Sequence, residues 1–187
     1  MKKISIDGVN ADDPDIDRRK LSEPLGTTDV AINHYRLAPG EELPGGLHAH
    51  LDQEEVFVVL DGEATFETID GRVTVESDEA IRFAPGEFQS GKNQSDTVLV
   101  VLAMGAPRDT DDVRFPLPCP TCGNDEIRFG MTDDELIFVC PECDAEHVPQ
   151  PCPGCDHDDM RVTLGGGDGT IVVCQGCGAE FGTPPLR

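Results

Sequence analysis

All eight cysteines lie after residue 118, in four Cys-x-x-Cys pairs. Cys119-Pro-Thr-Cys122 is followed after 17 residues by Cys140-Pro-Glu-Cys143, and Cys152-Pro-Gly-Cys155 after 18 residues by Cys174-Gln-Gly-Cys177. Equivalent cysteines of the two halves stand 33 or 34 positions apart, which is the mark of one small unit present twice. Each pair sets two sulfurs on a tight turn, with Gly123 and Gly178 suited to close it. Four thiolates around a tetrahedral Zn²⁺ form a closed shell with no open position. Units of roughly 30 residues cannot build a core of their own, so metal binding would be their folding energy. Two structural zinc ions are therefore expected, one at Cys119, Cys122, Cys140 and Cys143 and one at Cys152, Cys155, Cys174 and Cys177. Disulfides, a redox pair and an iron–sulfur cluster are the competing uses of such spacing.

These units resemble zinc ribbons over residues 119–143 and 152–177, with strands expected at 126–129 and 136–139. Ribbons that touch nucleic acid present basic and aromatic residues, whereas here Arg128 and Arg161 stand nearly alone among acids. A structural role, or docking to a protein partner, is expected in preference.

The first 107 residues contain no cysteine and must fold on an apolar core. From Asp29 the chain runs in short apolar stretches, at 30–37, 56–60, 64–69, 73–75, 80–83 and 98–103, separated by Pro-Gly and Asp-Gly turns. Asp70-Gly71 marks a hairpin, since Gly takes the positive φ of a tight turn. No helical period competes, so an all-β fold is expected, an antiparallel sandwich or small barrel. The polar stretch 7–24 reads as a poorly ordered arm, or alternatively as an edge strand, and 105–118, with three prolines, reads as a linker. The expected organisation is an N-terminal arm (1–28), a barrel (29–107), a linker (108–118) and two zinc units (119–147 and 148–187).

Within the barrel, His48 and His50 stand at i and i+2, so on a strand both face one side. A carboxylate from the next strand would complete a set of two imidazoles and one carboxylate, which suits a divalent first-row metal and leaves positions open. Glu55 is the expected donor and Glu54 the alternative register. The order His-x-His, four residues, Glu55, six residues, Gly62 resembles the first motif of the cupin family, and Pro85-Gly86 through Gln89 to Asn93 resembles its second. The resemblance covers residues 29–104. It implies a barrel or jelly roll of six to eight strands. It also implies one enclosed divalent ion (Fe, Mn, Ni or Zn) held by His48, His50, Glu55 and the second-motif residue. That last position is Gln89 where the family carries His, a weaker neutral ligand that can bind metal, substrate or neither. A small anionic or carbonyl ligand at the metal is expected. Oxygenase and isomerase chemistry both occur on this barrel, so the resemblance selects neither, and it also implies a homodimer. Tyr35, Arg36, Phe57, Phe83 and Phe88 are candidates to line a pocket, with core packing the simpler expectation for each Phe. His34, His147 and His157 have no evident partner and are expected at the surface.

The formal charge is −23, from 14 basic and 37 acidic side chains, and both halves are acidic. A polyanionic surface disfavours phosphate backbones and anionic lipid heads as partners. Few Lys, many acids and a preference for Arg resemble the proteins of salt-accumulating archaea. With no apolar run near the roughly 18 residues that span a bilayer and no signal-like N-terminus, a cytoplasmic protein is expected. A metal-binding barrel of unassigned catalysis is the resulting expectation, with a regulatory module as the alternative.

Overall fold

A computed structural model describes residues 1–12, 14, 16–132, 135–166 and 169–187. Its N-terminal half is built from β1 (Asp17–Lys20), a one-turn helix α1 (Ser22–Leu25), β2 (Ala31–Leu37), β3 (Ala49–His50), β4 (Glu54–Asp61), β5 (Glu63–Thr68), β6 (Gly71–Glu76), β7 (Ala80–Phe83), β8 (Ser90–Lys92) and β9 (Leu99–Ala106). One antiparallel sheet has the order β1-β2-β9-β4-β7, and a second the order β6-β5-β8. The two-residue period of a strand sends every second side chain inward. Phe57 and Val59 of β4 and Leu99 and Val101 of β9 thus meet Phe66 of the other sheet in one buried core. The rings of Phe57, Phe66 and Phe83 lie with centroids 5.0–6.0 Å apart. Gly62 makes the step from β4 into β5 at φ +83°, where a Cβ would stand 2.5 Å from the Val98 carbonyl oxygen, so a larger residue does not fit. The β5–β6 hairpin pairs Thr68 with Gly71, so its turn is Ile69-Asp70, one residue earlier than expected.

Two segments expected to be irregular are strands. Residues 17–20 of the expected arm pair with β2, from Asp17↔Arg36 to Lys20↔Asn33. The polar composition that suggested disorder serves local ion pairs instead, with Asp12 meeting both Arg18 and Lys20. Positions 13 and 15 of that stretch lie outside the described residues. Within the expected linker, β10 (Val113–Phe115) pairs with β3 on one side and with β11 (Ile127–Met131) on the other.

β11, β12 (Leu136–Val139) and β13 (Glu146–His147) carry the first cysteine unit, and the sheet β13-β12-β11-β10-β3 joins it to the barrel. The second unit is the sheet of β14 (Met160–Leu164), β15 (Thr170–Cys174) and β16 (Glu180–Phe181). A second apolar core holds Leu47 of the barrel together with Leu117 of the 108–118 segment, Ile127 and Cys140 of the first unit and Val162 and Val172 of the second. Leu47 is fully buried there, and its N–H donates to the Val162 carbonyl at 2.7 Å. A polar tie sits beside it. Glu67, 1% exposed, accepts from Thr163 Oγ1 at 2.7 Å and Arg72 Nη2 at 2.8 Å and pairs with Lys92 Nζ at 3.1 Å. Among the described residues no helix is long and apolar enough to cross a membrane.

Candidate metal centre

β4 decides which carboxylate enters the barrel. Glu55 shares the parity of Phe57 and Val59 and points inward, while Glu54 points outward to Arg82, 2.7 Å away. The loop before β3 turns back through Gly45 and Gly46, both at positive φ. It then runs between Gln89 on one side, through the His48↔Gln89 bridge, and β10 on the other, through His50↔Val113. His48, His50 and Glu55 converge so that one ligand atom from each lies within 4.8 Å of the others. The two rings stand 5.1 Å apart at 80°, and His50 Nε2 is 3.7 Å from Glu55 Oε1.

Each imidazole is held by its other nitrogen. His48 Nδ1 lies 2.8 Å from the Gly46 carbonyl, which can only accept, so that nitrogen carries the proton and Nε2 keeps its lone pair. His50 Nδ1 meets Thr110 Oγ1 at 3.2 Å. The Thr110 proton is given to Asp52 at 2.5 Å, so His50 too must donate from Nδ1. Metal-binding histidines require this outer support. Burial holds both rings neutral, lowering the His48 pKa and bringing His50 down to about 4. Burial also pushes the Glu55 carboxyl up to about 7, against the lowering effect of Gln89. A cation would reverse that preference by supplying the missing countercharge.

Gln89, 3% exposed, donates Nε2–H to Glu55 Oε2 at 2.9 Å. That bond positions the carboxylate and leaves Oε1 as the one amide atom with lone pairs for a metal. Asn93, 1% exposed, donates to the carbonyls of Leu37 and Thr97 at 2.9 and 2.8 Å and closes a loop. The cavity over the three donors measures about 270 Å³ and is lined also by Asn33, Tyr35, Phe57, Gln53 and Arg108. Of the other pocket candidates, Phe83 belongs to the barrel core, Phe88 packs on the second core, and Arg36 is exposed. Sequence reasoning missed Asp52, Thr110, Arg108 and Gln53. An Asp two residues beyond the His-x-His was the one local signal, since Thr110 arrives from 58 positions away.

The cysteine clusters fit zinc by a distance test. A tetrahedron with bonds of about 2.3 Å has edges of about 3.8 Å. The Sγ separations are 3.9 Å for Cys119–Cys143 and 3.5 Å for Cys122–Cys140. They are 3.7 Å for Cys152–Cys177 and 3.6 Å for Cys155–Cys174, all far beyond the disulfide bond of about 2.05 Å. All four knuckles share one backbone form. The residue four after the leading cysteine, Gly123, Asp144, Asp156 or Gly178, has positive φ and donates its N–H to that cysteine's carbonyl at 2.8–3.0 Å. The aspartates in this role carried no sequence signal. Of the remaining histidines, His34 and His147 depart from the surface expectation, whereas His157 is exposed as expected. His34 is 7% exposed and its Nδ1 is buried without a hydrogen-bond partner. His147 Nε2 stands 3.7 Å from Cys119 Sγ, and the His157 ring packs over Gly176.

A double-sheet barrel with an inward His-His-Glu group, followed by two four-cysteine units, defines the class. Residues 33–105 match the family model described as Cupin domain. Solved structures share the fold. The sugar phosphate isomerase of a cupin superfamily from Silicibacter pomeroyi is similar at 18% identity and TM-score 0.51, over 77% of this chain and 90% of that one. The polyketide cyclase RemF from Streptomyces resistomycificus is similar at 24% identity and TM-score 0.51, over 60% of this chain and 83% of that one. A predicted oxalate decarboxylase from Thermotoga maritima is similar at 20% identity and TM-score 0.50, over 56% and 98%. No curated protein sequence matches the chain.

Proposed function

We propose that this protein binds a small molecule at a divalent ion held by His48, His50 and Glu55, with Gln89 positioning the carboxylate and two structural zinc ions in the cysteine units. The observation that carries this reading is the pair of Nδ1 hydrogen bonds, which leave both Nε2 lone pairs free beside one carboxylate. A bound first-row ion would supply Lewis acidity or, if iron, redox chemistry. The chain's own groups neutralise, orient and enclose it. Native mass spectrometry on the full protein tests the count. Two zinc ions plus one further divalent ion are expected, with loss of that one alone in His50→Ala. Three ions retained in the variant would defeat the reading.

A metal-dependent enzyme of the oxygenase or isomerase class is the alternative, and the isomerase and cyclase among the similar folds favour it as a line of assay. A regulatory module is the other, supported by the strand β3, which the metal loop and the first cysteine unit share. A homodimer, a protein partner on the ribbons, absence of nucleic-acid and membrane partners, and a cytoplasmic, halophilic setting belong to the same proposal. Eight cysteines outside any disulfide suit a reducing compartment, and the −23 charge suits concentrated salt.

A further inference from the structure

The cavity over the three donors has one cationic lining residue among those described, Arg108. Among the described residues nine basic side chains pair with a carboxylate, yet none of those carboxylates pairs with Arg108. Its Nη1 donates to the Thr27 carbonyl at 2.8 Å, and the rest of the guanidinium fork has no hydrogen-bond partner among the described residues. The backbone beneath it is fixed. Buried Gln53 donates Nε2 to the carbonyls of Pro107 at 2.6 Å and Arg108 at 3.4 Å. A Cβ at Gly105 would stand 2.7 Å from the Gln53 amide carbon, so the glycine makes room for this clamp. Gly105 is also the residue that faces Glu55 across β4 and β9, which brings the start of the 107–110 segment over the ligand carboxylate. Two residues past Arg108, Thr110 supports His50.

We infer that the barrel site takes a small anion, a carboxylate or phosphate monoester-sized group whose charged head sits on Arg108 while another oxygen faces the His-His-Glu centre. This deepens the metal-site reading and rests on it in part. Two neutral imidazoles, one carboxylate and a divalent ion leave a net +1. Arg108 makes it +2, a positive island in a chain of formal charge −23. An unpaired guanidinium fork beside such an island matches the planar oxygens of a carboxylate or phosphate. The cavity of about 270 Å³ limits the ligand to a few carbons.

The test uses the full chain with zinc in the cysteine units and Co²⁺ in the barrel, titrated with malonate, methylphosphonate and neutral malonamide. Binding is followed by cobalt visible absorption and by calorimetry. Arg108→Met is expected to weaken both anions at least tenfold while leaving malonamide and Co²⁺ affinity within about twofold, as one charge-assisted contact of roughly 1.5–3 kcal/mol requires. Arg108→Lys is expected to recover part of the loss. Unchanged anion affinity in Arg108→Met overturns the inference, and so does an equal loss for malonamide, which would mark a collapsed pocket. Failure of Co²⁺ to bind the wild-type barrel sinks the metal reading instead. In that case Arg108-dependent malonate binding by calorimetry still sustains the anion site, and its absence overturns it.

Discussion

Glu67 is the point where barrel and second cysteine unit can be separated with one atom. Glu67→Gln keeps size and shape but removes the charge from a carboxylate 1% exposed. The wild-type group accepts from Thr163 at 2.7 Å and faces Lys92 at 3.1 Å, whose side chain is itself only 12% exposed. Hydrogen bonds to charged groups contribute roughly 1.5–3 kcal/mol each. Arg72, whose side chain is 57% exposed, adds less than about 0.5 kcal/mol. The amide retains one acceptor oxygen but turns an NH₂ toward a donor, so one bond is lost and one donor faces another. Lys92 keeps Glu42 at 3.1 Å, which moderates the cost, and a net loss of about 2–4 kcal/mol follows. Urea unfolding with zinc in excess measures it. Glu67→Gln combined with Thr163→Val should cost less than the sum of the two singles, because they share a contact. The pH dependence has a definite sign. Burial pushes Glu67 upward, but the hydrogen bonds from Thr163 and Arg72 and the Lys92 charge hold it below its ordinary value. Its contribution is therefore fully present above the unfolded carboxyl pKa of about 4.3 and lost as pH falls through the lower folded value. A loss under about 0.5 kcal/mol, or an acid limb identical in wild type and Glu67→Gln, would refute the reasoning, since a buried charge of this kind cannot be neutral in effect.

Four further outcomes are expected. With Glu55 pushed up to about 7, the incoming metal must displace a proton at lower pH, so barrel affinity should fall by up to about tenfold per pH unit below 7 and level off above; competitive chelator titration reads this, and a flat profile from pH 5 to 7 would contradict it. Thr110→Val should weaken that metal by roughly 10–100-fold while leaving zinc in the cysteine units, because only the orientation of His50 is lost. Asp156→Gly removes a Cβ from a position at φ +58° and should slow zinc release to a chelator, through a stabilisation of about 0.5–1 kcal/mol. Thermal melting should rise with KCl from low to multimolar concentration as screening shortens repulsion among the unbalanced acids; equal stability at both ends would remove the halophile proposal.

Much of the barrel was legible because its strands are long and apolar in alternation, and the Pro-Gly and Asp-Gly turns cut them at nearly the right places. The short strands were not. β3, β8 and β10 hold two or three residues, too few for any period, and β1 is wholly charged and lies at the edge of its sheet. The ligand set was legible in kind, since His-x-His places two rings on one face whatever the fold. The choice between Glu54 and Glu55 needed the parity of β4 against the core. Gln89 shows the limit most clearly: the sequence places it at the expected position but is silent on which end of its amide turns toward Glu55.

The sharing of Leu47 between the barrel and both cysteine units has a consequence for biosynthesis. The hole that Leu47 fills is completed by Val162 and Val172, which leave the ribosome well over a hundred residues later. His48 and His50 follow directly on Leu47, whose seat is not yet complete while the barrel emerges. A chain stalled before residue 162 would carry all three barrel donors without the residues that complete the Leu47 seat.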